Sequence, residues 1–68
     1  MESESYVSIV RRDRYCVVTI SSSLGRSSEL FSKDLREVAK EIVKRFVRQG
    51  KVVYDYHASS DVVNFKVR

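Results

Sequence analysis

The chain has no proline, one cysteine and one histidine in 68 residues, and each shortage removes a class of protein. A single thiol, Cys16, forms no intramolecular disulfide, and one Cys with one His supplies too few soft ligands for a zinc-type cluster. No metal and no cofactor are expected. No apolar run approaches the ~20 residues of a membrane span, and the N-terminus lacks the basic-then-apolar order of a secretion signal. A soluble, cytoplasmic protein without a membrane partner is the expectation. There is no internal repeat, and the one serine-rich stretch, Ser21 to Ser28, is too short to link two domains. Residues 1–68 are therefore read as a single small domain, with 1–5 a frayed acidic and polar tail.

What is present is a basic excess and two kinds of periodicity. Thirteen Lys and Arg against nine Asp and Glu give a formal charge of +4 and a sequence pI of about 9.5, a balance that favours an anionic partner. A chain of this size buries only ~60% of its unfolded surface. Without a disulfide or metal, self-association is the expected reinforcement.

The strongest pattern lies in Leu30 to Gln49. Phe31, Leu35, Val38, Ala39, Ile42, Val43, Phe46 and Val47 recur at three- and four-residue intervals, the spacing that stacks side chains on one helical face. Ser28 is the expected N-cap, with Glu29 near the positive end of the dipole. Gly50 is the expected stop, in the left-handed position past the last turn.

On either side, β-branched and aromatic residues predict hairpins. Tyr6–Val10 and Tyr15–Ile20 flank Arg11-Arg12-Asp13-Arg14. Pairing Val10 with Tyr15 and Ile9 with Cys16 puts Val7, Ile9, Cys16, Val18 and Ile20 on one, core-facing side. Lys51–Tyr56 and Val62–Val67 flank Ala58-Ser59-Ser60-Asp61. Pairing His57 with Val62 gathers Val52, Tyr54, Tyr56, Val63, Phe65 and Val67 on one side. Val53, Asp55, His57, Val62, Asn64 and Lys66 fall on the other. The fold class read from this is α+β, ββαββ: a four-stranded, largely antiparallel sheet with one long amphipathic helix on one face. A twenty-residue helix spans ~30 Å, enough to return the chain to the end where the second strand began. In the preferred strand order 2-1-3-4, every neighbour is antiparallel.

That topology predicts a basic pole. The first hairpin turn, the helix C-terminus, the start of the third strand and the end of the fourth would share one end of the sheet. Arg11, Arg12, Arg14, Lys44, Arg45, Arg48, Lys51, Lys66 and Arg68 would meet there, while Glu2, Glu4, Glu29, Asp34 and Asp61 mark the other end. Such a pole suits phosphates. The plainer account is cations complementing a helix C-terminus and a solvated surface.

The function predicted is nucleic-acid binding, DNA or RNA indistinguishably, through Arg11, Arg12, Arg14, Lys44, Arg48, Lys51, Lys66 and Arg68, with Tyr15 as a stacking residue. Tyr6, Val10, Val17, Val53 and Val62 on the open sheet face are the expected homodimer interface. The alternative is a homodimeric protein-interaction subunit using that face or an edge strand, without nucleic acid. No enzyme and no small-molecule substrate are expected. Cys16 reads as a small buried hydrophobe, and the His57–Asp55 pair has no nucleophile placed to complete a relay.

Overall fold

Three strands, not two, precede the helix. The computed structural model of the chain describes residues 4–68. β1 (Ser5–Arg11), β2 (Cys16–Ser22) and β3 (Gly25–Phe31) form a meander; α1 (Leu35–Arg48) follows, and β4 (Val53–Ala58) and β5 (Val62–Val67) make a closing hairpin. All five strands join one antiparallel sheet in the order β3-β2-β1-β5-β4. The α+β class stands, with one helix packed on an antiparallel sheet. The four-stranded ββαββ pattern is replaced by βββαββ. Of the expected tail, residues 1–3, with Glu2, lie outside the described residues, and Ser5 already pairs with Val67.

The additional strand comes from the stretch expected to be a loop and the start of the helix. Ser22 pairs with Gly25 across the two-residue turn Ser23-Leu24, and the ladder continues from Ser21 with Arg26 to Cys16 with Phe31. Gly25 has φ 140°, a conformation in which a side chain is strained. Nothing covers β3: Gly25 to Leu30 are exposed, and only Phe31 leans on the core.

The helix is accordingly shorter, 14 residues, and its N-cap is Asp34 rather than Ser28. The Asp34 carboxylate accepts from the Arg36 amide at 3.3 Å, and Glu37 sits at the third helical position, the place of the acidic partner in a capping box. The C-terminus ends as expected at Gly50, φ 79°. Gly50 N–H donates to the Val47 carbonyl and Lys51 N–H to the Phe46 carbonyl, both at 3.0 Å, the paired bonds of a Schellman stop.

The core face of the first hairpin is as read, although its register differs. Ile9 faces Val18 and Arg11 faces Cys16, a slip of two residues from the expected pairing. Side chains alternate with period two, so an even slip preserves every face. Val7, Ile9, Cys16 and Val18 are buried with Val63, Phe65 and Val67 beneath Leu35, Val38, Ala39 and Ile42 of the helix.

The second hairpin departs further. Val53 pairs with Val67 and Tyr54 with Lys66, but His57 pairs with Asn64, so an extra residue is accommodated between Tyr54 and His57. Asp55 takes φ 54° there, a left-handed non-glycine residue. The bulge moves Val53 to the core side, where it packs on the cluster, and moves Tyr54 onto the open face. Tyr56 stays on the helix side, its ring stacked on Phe65 with centroids 5.7 Å apart.

Three strands before the helix also reverse its direction. β3 ends beside the β1–β2 turn, so α1 starts there, and its ~21 Å length carries the chain to the far end of the sheet. β5 then returns to pair with β1, which makes the order β2-β1-β5-β4 where 2-1-3-4 was expected.

Candidate nucleic-acid interface

That reversal splits the expected basic pole. Arg11, Arg12 and Arg14 lie at the end that holds the β1–β2 turn, the helix N-cap and the β4–β5 turn. Arg48, Lys51, Lys66 and Arg68 lie at the other, where α1 stops, β4 starts and β5 finishes; the Val52 and Arg68 backbones exchange hydrogen bonds of 2.7 and 2.9 Å there. Lys44 lies on the helix flank between them.

The arginines of the turn are only partly available. Arg11 donates its backbone N–H to the Asp61 carbonyl at 2.8 Å, its guanidinium bonds the Ser60 carbonyl, and its Nε stands 3.5 Å from the Asp61 carboxylate. It ties two turns together. Arg11 belongs to β1, paired with Cys16, so only Arg12 and Arg14 remain in the turn itself. Arg45, counted toward the pole, reaches back to Glu29 at 3.7 Å.

The open face of the sheet carries three rungs of aligned side chains. The first runs Tyr54, Lys66, Tyr6, Ser21, Arg26 across β4, β5, β1, β2 and β3. The second runs His57, Asn64, Ser8, Thr19, Ser28, and the third Val62, Val10, Val17, Leu30. Strands are ~4.8 Å apart, so the Tyr6 and Tyr54 positions, two strands apart, lie ~10 Å from each other.

In the first rung each ring has a cation against it. Lys66 Nζ lies 5.6 Å from the Tyr6 ring centroid and the Arg68 guanidinium 4.7 Å from that of Tyr54. Tyr6 is 51% exposed. The Tyr54 hydroxyl is held by the Glu4 carboxylate, which fixes the ring's position. Tyr15, the stacking residue expected from the sequence, stands apart at the opposite end in the turn beside Arg12 and Arg14.

Asp55 tempers this surface. It meets His57 Nε2 at 2.9 Å and Lys66 Nζ at 3.3 Å, and those hydrogen bonds, His57 first, hold its carboxyl below the usual carboxylate range despite slight desolvation. His57 is highly exposed, and the Ser59 hydroxyl is occupied at the Val62 carbonyl. Cys16 is buried, its thiol donating to the Lys33 carbonyl at 3.4 Å. Burial first, and Asp34 second, push that thiol up, with Arg11 partly opposing. A neutral thiol in this position is a poor nucleophile.

Of the expected dimer residues, Val10, Val17 and Val62 do share a rung, joined by Leu30, which is 66% exposed. Tyr6 lies two rungs away, and Val53 is on the opposite face. Sequence reasoning passed over Tyr54 and Arg26 for this face. Arg26 needs β3 to exist, and Tyr54 needs the bulge. Among the described residues no cluster of His, Cys, Asp and Glu forms a metal site, and no helix is long and apolar enough to cross a membrane. The chain matches no family model, no curated protein and no solved structure.

Proposed function

We propose that this is a cytoplasmic protein that binds single-stranded nucleic acid, DNA or RNA, across the open face at the β5 end of the sheet. The observation that carries this is the Tyr54–Lys66–Tyr6 rung, with Arg68 closing over Tyr54. Bases stack on ring faces of any sequence context, and cations between and beside the rings meet the phosphates that follow. Arg26 extends the rung on one side, and Arg48 and Lys51 supply further charge at the same end. Arg12 and Arg14, at the far end, belong to the background field.

The experiment is a salt titration of binding to single- and double-stranded oligonucleotides. The reading expects a preference for single strands and an affinity that falls linearly with the logarithm of salt. Equal affinity for duplexes, or affinity indifferent to salt, overturns it.

A second reading is favoured by one other observation. The Val62–Val10–Val17–Leu30 rung is apolar and runs out to β3, whose outer edge is unpaired and whose faces are uncovered. An edge of this kind pairs with a second copy of itself. Antiparallel pairing about Ser28 would set Leu30 opposite Arg26 of the second copy and continue the open face into a longer surface. Sedimentation equilibrium decides it: a monomer at all accessible concentrations removes the dimer and leaves the nucleic-acid reading intact.

A further inference from the structure

On the other face of the sheet an open groove of about 1070 Å³ lies between α1 and the β4–β5 hairpin. Its floor is apolar: Ala39 and Val43 from the helix, Tyr56 and Ala58 from β4. Its helix rim is basic. Arg36, Lys40 and Lys44 line it at four-residue intervals, and none of them makes an ion pair among the described residues. Asp34 is the sole carboxylate in the lining, and it is engaged as the helix cap.

The strand rim is open in a different sense. β4 is an edge strand, hydrogen-bonded on one side only, to β5. Past the bulge at Asp55 its Tyr56–Ala58 backbone borders the groove with unpaired groups on its outer side. A ligand seated here would find backbone partners on one wall, apolar contact below and three cations on the other wall.

We infer that the groove takes an extended acidic peptide, added as a short strand beside β4, with one apolar side chain on the Ala39–Val43 floor and a carboxylate two residues to either side. The dimensions agree. Arg36 and Lys44 are eight residues apart on α1, a rise of ~12 Å. Side chains at i−2 and i+2 of an extended chain are ~13 Å apart and point the same way as the one at i. Carboxylates at those positions meet the outer two cations, and Lys40 stands over the centre. Backbone pairing supplies affinity and the period-two pattern supplies selectivity, as in strand addition generally. This site lies on the face opposite the nucleic-acid surface and does not depend on it.

The test uses the 68-residue chain, isotope-labelled, titrated with the acetylated and amidated peptide Thr-Glu-Thr-Val-Thr-Glu-Thr. Amide shifts are expected on α1 from Arg36 to Lys44 and on β4 from Tyr56 to Ala58. Binding should weaken about tenfold when the peptide's glutamates become lysines, and by a similar factor in an Arg36→Glu/Lys40→Glu/Lys44→Glu chain. Those positions are exposed, and Lys40→Glu alone serves if the triple variant does not fold. Methylating the peptide's backbone nitrogens should also abolish binding. No shift at millimolar peptide, equal binding of the lysine peptide, or movement of these amides by an oligonucleotide or anionic lipid vesicle but not by the peptide, overturns the inference.

Discussion

Arg11 and Asp61 are joined twice, by backbone at 2.8 Å and by side chain at 3.5 Å, so that one strand end clamps a turn from the other end of the chain. The ion pair is exposed and contributes little by itself. The guanidinium bond to the Ser60 carbonyl adds to it.

Arg11→Ala should therefore cost about 1 kcal/mol of stability, the scale of one or two net hydrogen bonds. Urea denaturation measures it. Affinity for oligonucleotides should not change, which separates a structural arginine from a phosphate-binding one.

On the open face, Tyr6→Ala should weaken single-strand binding by about 1–3 kcal/mol, the range for one stacked base. Lys66→Ala and Arg68→Ala should each lower the salt slope by about one. Arg12→Ala and Arg14→Ala should leave both affinity and slope nearly untouched. A filter-binding series across salt concentrations compares all five, and a dominant effect of the turn arginines would refute the interface.

The helix ends offer a cleaner stability measurement. Asp34→Ala removes the N-cap and should cost about 0.5–2 kcal/mol. Gly50→Ala forces a side chain into φ 79°, at about 1–2 kcal/mol. Whole-domain stability scales at ~0.05–0.15 kcal/mol per residue, so either change should move a thermal transition visibly, and the pair should add.

Asp55 carries two separable effects. Its φ of 54° means Asp55→Gly should relieve strain while Asp55→Val should add about 1–2 kcal/mol of it. Its carboxyl is held below the ordinary value of 3.8 by His57 and Lys66. A depressed carboxylate contributes stability that is complete above its unfolded pKa and lost as pH falls through the folded one. The contribution should thus begin to fall as the pH drops below the ordinary value of 3.8 and be gone only once the folded carboxyl itself has protonated, and Asp55→Asn, which tolerates the same backbone, should flatten that part of the acid-denaturation profile.

Much of the core is legible in the sequence because alternation is insensitive to an even shift of register. A two-residue slip in the β1–β2 register left Val7, Ile9, Cys16 and Val18 facing the helix. The helix stop was equally local, fixed by Gly50. β3 was not legible: Gly25 to Phe31 contain no β-branched residue, and the segment is a strand because β2 is there to pair with it. Phe31 falls on the helical period as well as on the ladder, which favours a longer helix, and the cap at Asp34 lies inside the stretch expected to be helical. Missing β3 reversed the helix, and the reversed helix gathered the turn arginines with cations that the structure holds at the opposite end. The bulge at Asp55 was beyond sequence reasoning, since only a neighbouring strand reveals the extra residue.

β1 is the middle strand, and its two neighbours come from opposite sides of the helix. Half of its hydrogen-bonding edge therefore waits, during folding, for β5, the last of the six elements to be made. The loop that must close spans β2, β3, α1 and β4, so the rate-limiting step should be a long-range encounter rather than hairpin or helix formation. The N-terminal meander, complete in itself, would spend that interval with the open side of its central strand exposed to other chains.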